Sequence, residues 1–384
     1  MILQSLLVYS LMLFVMTLCG AIASHNSYNY VSYSGEIKKS SFWRIEIIIP
    51  IILFSVIFGL RYDVGTDHLQ YLNYYINGTP SKIEFLFKQI TLICSNLSLH
   101  YCVYFGILSF IQIFFFYYAF KDEKYLYPFL AFFLFTNGEW FFWVNGIRQA
   151  IAMCIWIYSI KFIDQKKIIW YLFWGLAAFL FHRSAIILFI FYPLLKNGKD
   201  IFKSIPLQLF LFLSTFIIRQ IFVSISDSFS EAADIYVYML GKDLYEDDYN
   251  IDTLKESYVE PTGTGLVFMF KVALTTVIIL YSKKMKEFYD SKRFLILYFF
   301  FFIGVITTFI FPAGFISFTR PFRYFYIFQS IILSYMLYFL SKKKSLQNSI
   351  VYWALIIIFL IIFFQQTLTG GSDPTISYKF FFQY

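Results

Sequence analysis

The sequence predicts an all-α polytopic membrane protein with about 12 transmembrane helices, in a range of about 11 to 14. Hydrophobic residues make up 59% of the 384 residues and charged residues only 14%, whereas a soluble domain carries about 25% charged residues. Apolar runs of roughly 20 residues recur along the chain, and each can cross about 30 Å of hydrocarbon. The alternating pattern of a membrane β-barrel is absent, so helices must satisfy the backbone hydrogen bonds.

The candidate spans follow one another along the chain, which we treat as one integral membrane domain over residues 1–384. The first span ends in the letters AIA, which mimic a signal-peptidase site. No lysine or arginine precedes Lys38, so a retained helix is favoured over a cleaved signal peptide. Residues 168–196 also fit one kinked helix or two half-helices. The candidate spans are 2–23, 43–60, 99–120, 125–140, 145–163, 168–182, 183–196, 203–223, 264–281, 293–311, 320–340 and 349–364.

Two long loops between the spans are predicted at the outer face. The loop over residues 61–98 contains an amphipathic segment that is predicted to form an interfacial helix. The loop over residues 224–262 is strongly acidic, and its letters EDD at 246–248 could bind a divalent cation, although a solvated lid is the favoured interpretation. The four cysteines form no CxxC pair. No metal site and no cofactor is therefore predicted.

Lysine and arginine are distributed differently between the predicted loops. Positive residues near span ends favour the cytoplasmic side, and the lysine clusters set the orientation. With that orientation, 17 of the 23 lysines fall in cytoplasmic loops, but among the eight arginines only Arg44 and Arg293 do. The charge rule does not distinguish the two residue types, so the outer arginines need another explanation. They are Arg61, Arg148, Arg183, Arg219, Arg320 and Arg323.

Three segments that carry these arginines are predicted to begin helices at the outer face. Arg148 lies in NGIRQA, where Asn145 is a candidate N-cap, and Arg183 opens the apolar run of FHRSA. Arg320 and Arg323 stand one turn apart in SFTRPFRYF, where the proline suits a first helical turn. Each predicted helix start thus carries an arginine.

An arginine at the start of a helix makes an anion site. The helix N-terminus offers unpaired N–H groups and the positive end of the dipole. The planar guanidinium binds phosphate with two hydrogen bonds and stays charged when partly desolvated. We therefore predict that the outer arginines, except Arg219, gather into a site for a lipid-linked pyrophosphate. Arg219 stands in no motif and is expected to snorkel to lipid headgroups, which is also the alternative for each of the others. The predicted pyrophosphate-binding residues are Arg61, Arg148, Arg183, Arg320 and Arg323.

Four segments resemble the EpsG-type membrane proteins, which are relatives of the Wzy O-antigen and exopolysaccharide polymerases. They are LRYDVGTDHLQY, NGIRQAIAM, FHRSAII and PTISYKFFF, and the resemblance runs from about residue 45 to the C-terminus. It implies a C-type glycosyltransferase-like fold in the bacterial cytoplasmic membrane, with an active site on the periplasmic or extracellular side. It also implies the polymerisation of repeat units that are carried on undecaprenyl pyrophosphate.

The reaction implied by this resemblance is a metal-independent glycosyl transfer. A hydroxyl of one lipid-linked repeat unit attacks the anomeric carbon of another glycan, and undecaprenyl pyrophosphate leaves. Arginines would stabilise the leaving group, and a general base would take the hydroxyl proton. The predicted catalytic residues are His182, which nearby positive charge keeps neutral, and Asp67, which follows a Gly-Thr turn. Further candidates for the base are Asp63, His68 and Glu139.

The substrates are expected to contact tyrosines. Tyr71 and Tyr74 recur at helical spacing and form an aromatic face that could stack on sugar rings, and Tyr324 is the third predicted substrate-binding residue. An interfacial aromatic belt is the alternative for any single tyrosine. The expected partners are the lipid bilayer, a chain-length regulator, and undecaprenyl-pyrophosphate-linked oligosaccharides as donor and acceptor. Nucleic acid is not expected, because the net charge of +8 belongs mainly to the cytoplasmic loops.

Two other functions remain open from the sequence. A ligase that moves the finished glycan onto a different acceptor would use the same donor site. A transporter or flippase for the lipid-linked unit would show internal repeats and polar residues on both sides of a central cavity. The sequence shows no such duplication, and the charged residues of interest crowd the predicted outer face. Lys271, inside a predicted span, is left without an assigned role.

Overall fold

The computed structural model describes residues 2–28, 41–224, 265–311, 319–369 and 377–383. Regular structure in these ranges is helical, apart from one isolated antiparallel bridge between Arg61 and Phe380. Short 3₁₀ helices cover Lys124–Leu126, Arg183–Ile190, Arg320–Phe322 and Phe381–Gln383. The α-helices are α1 (Ile2–Tyr28), α2 (Ile45–Gly59), α3 (His68–Asn77), α4 (Phe85–Asn96), α5 (Tyr101–Ala119), α6 (Tyr127–Thr136), α7 (Glu139–Asn145), α8 (Ile147–Ser159), α9 (Lys161–Asp164), α10 (Ile168–Phe181), α11 (Phe191–Leu195), α12 (Ile205–Ser224), α13 (Leu266–Tyr289), α14 (Lys292–Ile310), α15 (Arg323–Lys342) and α16 (Leu346–Thr369).

The protein is a multi-pass, all-helical membrane protein. Seven of its described helices are long and apolar enough to cross a membrane: Ile2–Ser27, Tyr101–Ala119, Ile205–Phe222, Leu266–Tyr289, Lys292–Ile310, Arg320–Lys342 and Leu346–Leu368. Three shorter apolar helices cover Ile45–Gly59, Ile168–Phe181 and Arg183–Leu195. The number of about 12 spans and the C-type glycosyltransferase-like fold stay predictions.

Two apolar stretches are divided by glycines. The predicted span 125–140 is interrupted after α6 at Gly138, whose φ of +74° lies in the left-handed region that glycine adopts without strain. The predicted span 145–163 begins later than expected, because α7 runs on to Asn145 and α8 starts after Gly146. Asn145 therefore closes one helix, and the prediction that it caps the next was wrong. The predicted loop 224–262 lies almost wholly outside the described residues, with the EDD letters.

The chain divides into two compact units, which we describe separately. The first unit consists of Met1–Thr79, Glu84–Pro193 and Leu333–Tyr384. The second unit consists of Pro80–Ile83 and Leu194–Ile332.

The first unit is built by successive helix pairs. Helix α1 packs against α2 and α6, α2 against α5, α5 against α8, and α8 against α10. Its core contains large aromatic side chains that are fully buried, among them Trp140, Trp143 and Trp156. Helices α3 and α4 occupy the predicted outer loop 61–98, and α4 packs against α3 and α10. This packing brings the start of α4 close to the end of α10.

The second unit is smaller, and helix α12 packs in it against α13 and α14. Phe212 and Phe309 meet edge to face across α12 and α14, with ring centroids 5.0 Å apart. A buried polar group joins the same helices, because the Tyr298 hydroxyl donates to the Gln208 side chain over 2.5 Å. Lys286 on α13 pairs with Asp200 at 2.9 Å. Each of these polar groups is satisfied within the unit, which is what burial requires.

The C-terminal segment pairs with the residues that follow α2. The amide of Tyr62 donates to the Lys379 carbonyl oxygen, and the amide of Phe381 donates to the Leu60 carbonyl oxygen, both over 2.9 Å. The Lys379 ammonium lies 3.4 Å from the Asp63 carboxylate. Two of the segments that carry the family resemblance, at opposite ends of the chain, are therefore neighbours in space.

The two ends of α1 have different neighbours. At its start, Gln4 and Gln383 exchange side-chain hydrogen bonds of 2.9 and 3.0 Å, so the C-terminal segment lies at this end. Near its other end, Asn26 donates to Glu46 over 3.0 Å, and Glu46 pairs with Arg44 at 2.7 Å. The segment of Arg61 and the segment of Arg44 thus lie towards opposite ends of α1.

Helices α2 and α5 cross closely at Gly59 and Gly106. A Cβ at position 59 would lie 2.7 Å from the carbonyl oxygen of Cys102, a backbone atom of α5. Gly59→Ala is therefore expected to lower the free energy of unfolding by about 1–3 kcal/mol, measured as a lower midpoint of thermal unfolding in detergent. Gly106→Ala is the matched control, because its Cβ would have its nearest neighbour 3.4 Å away. Equal midpoints for the two variants would contradict this packing.

Candidate functional site

Three segments of the first unit meet at one buried carboxylate, that of Glu84. Its Oε2 accepts a short hydrogen bond from Arg148 Nη1. Its Oε1 lies 2.9 Å from His182 Nδ1 and 3.5 Å from the backbone nitrogen of Arg183. The side chain of Glu84 is 6% exposed, and those of Arg148 and His182 are 15% exposed. We call these four residues the Glu84 cluster.

Helix boundaries hold each member of the cluster in place. Glu84 is the residue before α4, in extended backbone, and Arg148 lies in the first turn of α8. His182 adopts extended backbone between α10 and the 3₁₀ helix that Arg183 begins. Because an apolar helix or 3₁₀ helix flanks every one of these positions, the polar side chains come together where those helices end or begin. Such boundaries leave backbone N–H groups that a ligand can use.

The surroundings of Arg148 are aromatic. Its guanidinium lies 5.9 Å from the ring centroids of both Tyr71 and Phe87, a distance at which cation–π attraction operates. Its Nε also donates a long hydrogen bond of 3.5 Å to the Tyr71 hydroxyl. Tyr74 meets Tyr71 edge to face at 6.2 Å and is half-buried. The structure thus places one of the three predicted tyrosines, Tyr71, against Arg148, and a second, Tyr74, against Tyr71.

The cluster is arranged to keep Glu84 ionised. Burial alone would raise the pKa of this carboxyl, but the hydrogen bond from His182 and the charge of Arg148 together lower it to about 2. The pKa of Tyr71 is raised to about 12, mainly by burial and in part by the negative charge of Asp67. At neutral pH Glu84 is therefore an anion, and Tyr71 keeps its proton. Asp67, half-buried before α3, stands near enough to act on Tyr71 electrostatically.

The Glu84 carboxylate also decides which nitrogen of His182 carries the proton. A carboxylate can only accept hydrogen bonds, so a neutral His182 donates through Nδ1 and bears its lone pair on Nε2. A histidine that a carboxylate holds in this tautomer is suited to accept a proton at Nε2.

Arg61 occupies a separate buried position and is 1% exposed. Its Nε donates to His68 Nδ1 and its Nη2 to the Val144 carbonyl oxygen, both over 3.3 Å. The guanidinium also lies 5.3 Å from the ring centroid of Phe105. Burial and the charge of Arg61 lower the pKa of His68 to about 2, so His68 is neutral and accepts the hydrogen bond. The contacts of Arg61 are those of a packed side chain, and a role in binding pyrophosphate stays a prediction.

Arg320, Arg323 and Tyr324 belong to the second unit. Arg320 begins a 3₁₀ helix and Arg323 begins α15, so each stands at a helix start as the sequence predicted. Tyr324 is fully buried within the protein. Roles for Arg320 and Arg323 in binding pyrophosphate and for Tyr324 in binding sugar stay predictions.

Glu84 is the member of the cluster that sequence reasoning missed. It is the sole acidic residue between Asp67 and Asp122, and it directly precedes the amphipathic segment of the predicted outer loop. Its position as an isolated acidic residue was the signal in the sequence that could have identified it as a candidate site residue. Its partners are 64 and 98 residues away along the chain, so no local pattern could identify them. Within the described residues, no group of three or more histidines, cysteines, aspartates or glutamates could hold a metal ion.

Comparison with known proteins identified a family. The model of the EpsG family matches residues 44–382, a range that includes every residue of the Glu84 cluster. Neither the curated proteins nor the solved structures contain a match.

Proposed function

The chain belongs to the EpsG family, a Wzy-like polymerase family, and from this premise we propose that it polymerises a polysaccharide from lipid-linked repeat units. The proposed donor is a glycan on undecaprenyl pyrophosphate, and the proposed acceptor is the non-reducing end of a second lipid-linked unit. The enzyme class is glycosyltransferase. The family and the membrane-helical architecture support the polymerase, and the Glu84 cluster supports the choice of donor.

The single observation that carries the donor is the meeting of the Arg148 guanidinium, the His182 ring and the backbone nitrogen of Arg183 at one carboxylate. The two arginines were predicted from sequence to bind pyrophosphate, and the histidine to take a proton. An anionic leaving group and a proton acceptor are the two needs of a glycosyl transfer from a pyrophosphate. A site with both kinds of group close together supports this reaction over simple lipid binding.

In the proposed reaction, the acceptor hydroxyl oxygen attacks the anomeric carbon of the donor and forms the new glycosidic bond. The bond between that carbon and the pyrophosphate oxygen breaks, and its electron pair stays with the pyrophosphate. The hydroxyl proton passes to Nε2 of His182 and from there to solvent. Arg148 and Arg183, with the backbone N–H groups at the helix starts, stabilise the added negative charge. Asp67 is the second proposed catalytic residue, and Tyr71 and Tyr74 are proposed to contact sugar.

The remaining predicted arginines have different places in the proposal. Arg320 and Arg323, in the second unit, are each proposed to bind pyrophosphate through the guanidinium. Arg61 is proposed to stabilise the backbone beside the site. Its hydrogen bond to the Val144 carbonyl oxygen ties the residues after α2 to the segment just before α8. The chemistry is proposed to need no metal and no cofactor.

The site is proposed to face the periplasm or the exterior. Lysines near span ends favour the cytoplasm, and Lys124 donates to the Ser41 carbonyl oxygen over 2.7 Å, next to the segment of Arg44. The residues after α2 lie with the C-terminal segment at the opposite end of α1. This separation of the lysine end from the Arg61 end supports the orientation.

The test is an assay of the purified protein in lipid nanodiscs with one lipid-linked repeat unit as the sole substrate. A polymerase makes a ladder of products from this substrate alone, and the ladder is expected to be unchanged by EDTA. A ligase would leave the unit unchanged until a different acceptor is added, which would overturn the proposal. A flippase would only move the unit between leaflets, and a gel would show a single band. Loss of the ladder with EDTA would overturn metal independence alone.

A further inference from the structure

The Glu84 carboxylate accepts hydrogen bonds from two groups that have their own roles in the proposed reaction, one in binding pyrophosphate and one in accepting a proton. One oxygen takes the guanidinium of Arg148 and the other takes Nδ1 of His182. With its side chain 6% exposed, Glu84 has little access to water that could replace either partner. The positive charge of Arg148 is therefore already paired with the negative charge of Glu84 before any substrate binds. A pyrophosphate that binds Arg148 must compete with Glu84 for it.

This competition is possible because a pyrophosphate can offer Arg148 a fuller set of acceptors than Glu84 does. The hydrogen bond from Arg148 goes to Oε2 of Glu84, because Oε1 faces His182. A pyrophosphate can accept two parallel hydrogen bonds from the guanidinium, and a pyrophosphate diester carries more negative charge than a carboxylate. Arg148 lies in the first turn of α8, and its side chain is 15% exposed, more than that of Glu84. The arginine is thus the partner with access to an incoming anion, and the carboxylate is the one left behind.

We propose that Glu84 is an exchange residue: an incoming pyrophosphate takes Arg148 from it, while the carboxylate keeps His182. This inference rests on the proposed function and adds a positioning residue that couples donor binding to the base. No covalent bond changes in this step, because one ion pair is replaced by another.

The exchange has a consequence for His182. While Arg148 is paired with Glu84, its positive charge opposes a second positive charge on the neighbouring imidazole. After the exchange, the charge of Arg148 is directed at the pyrophosphate, while Glu84 keeps its contacts with His182 and the Arg183 amide. The negative charge beside His182 then favours the imidazolium that forms when the acceptor proton is taken. The base is therefore at its most effective only when a donor is bound. An acceptor that arrives first meets a weaker base.

The experiment measures how inorganic pyrophosphate binds to the full-length protein in nanodiscs, for the wild type and for Glu84→Gln. The glutamine keeps the shape of the side chain and a hydrogen bond to His182, but it no longer competes for Arg148 as an anion. Pyrophosphate is expected to bind the variant more tightly, roughly 5- to 150-fold, the range of typical coupling between two ligands. Turnover at saturating donor is expected to fall, because His182 has lost its carboxylate.

Tighter binding together with slower turnover separates the exchange from a structural role. A residue that only supports the fold would weaken binding and slow turnover together. Glu46→Gln is the matched control, because Glu46 is a buried glutamate paired with Arg44 in the same unit, at the other end of α1. Its affinity for pyrophosphate is expected to equal that of the wild type. Equal or weaker binding of pyrophosphate by Glu84→Gln would overturn the exchange.

A second variant keeps the test decisive if Glu84→Gln fails to fold. Glu84→Asp retains the negative charge on a side chain that is shorter by one methylene, so the ion pair with Arg148 is weakened. Pyrophosphate is therefore expected to bind this variant more tightly than the wild type. Unchanged or weaker binding would overturn the exchange.

The experiments also distinguish failure of the exchange from failure of the proposed function. A wild-type ladder without tighter binding in the variants overturns the exchange alone, whereas tighter binding without any ladder supports the exchange and overturns the polymerase.

Discussion

Arg148→Lys is expected to reduce polymer synthesis by about 10²- to 10³-fold, the usual effect of removing one donor that stabilises a developing negative charge. Lysine keeps the positive charge but has no planar fork, so it cannot contact Glu84 and the Tyr71 hydroxyl as Arg148 does, and it cannot bind a pyrophosphate through two parallel hydrogen bonds. It would also lose the close approach of a flat guanidinium to the rings of Tyr71 and Phe87. The measurement is the initial rate of ladder formation from a purified lipid-linked repeat unit.

Arg44→Lys is the control for this prediction. Arg44 is also paired with a buried glutamate in the first unit, but at the other end of α1. Its replacement changes the same functional group in a similar pair and is expected to leave the rate unchanged. Ladders of wild-type rate and length from Arg148→Lys would remove Arg148 from the proposed site.

His182→Ala is expected to lower the turnover number by about 10²- to 10⁴-fold, the range for loss of a general base. The KM for the donor is expected to change much less, because Arg148 and Arg183 remain. A smaller loss, with the KM raised instead, would mean that His182 positions Glu84 and does not accept the proton. The measurement is the dependence of the initial rate on donor concentration for both proteins.

The control for His182→Ala is His100→Asn. His100 lies in the same unit and uses its ring to accept a hydrogen bond from the Cys102 amide at the start of α5, over 3.3 Å. Asparagine is a good cap at such a position, so stability should be retained. Turnover by His100→Asn is expected to match the wild type. Normal polymerisation by His182→Ala would instead eliminate His182 as the base.

The sequence was informative where the signal is local. The composition and the apolar runs predicted a membrane protein of helices, and the structure confirms this. The helix-start position of Arg148 and the helix-boundary position of His182 could be predicted, because apolar runs end and begin beside them. The family was identified from short motifs, and the match over residues 44–382 confirms it.

The sequence was not informative where the fold joins distant residues. Glu84 could be recognised only as an isolated acid, since its partners come from α8 and the end of α10. The start of α8 was placed too early, because Asn145 was interpreted as its N-cap, whereas Asn145 is the last residue of α7. Hydropathy reports the solvent that a segment prefers, whereas the break after α6 depends on a backbone angle at Gly138 that only glycine adopts freely.

The pairing of residues 60–62 with residues 379–381 has a consequence for biosynthesis. A chain is made from its N-terminus, so the segment after α2 leaves the ribosome long before its partner segment exists. Until translation has passed every helix described here, the backbone groups of Leu60 and Tyr62 lack the partners that they have in the finished protein. The nascent chain therefore cannot complete this region early, and the backbone next to Arg61 reaches its final form only after the C-terminal segment has been made.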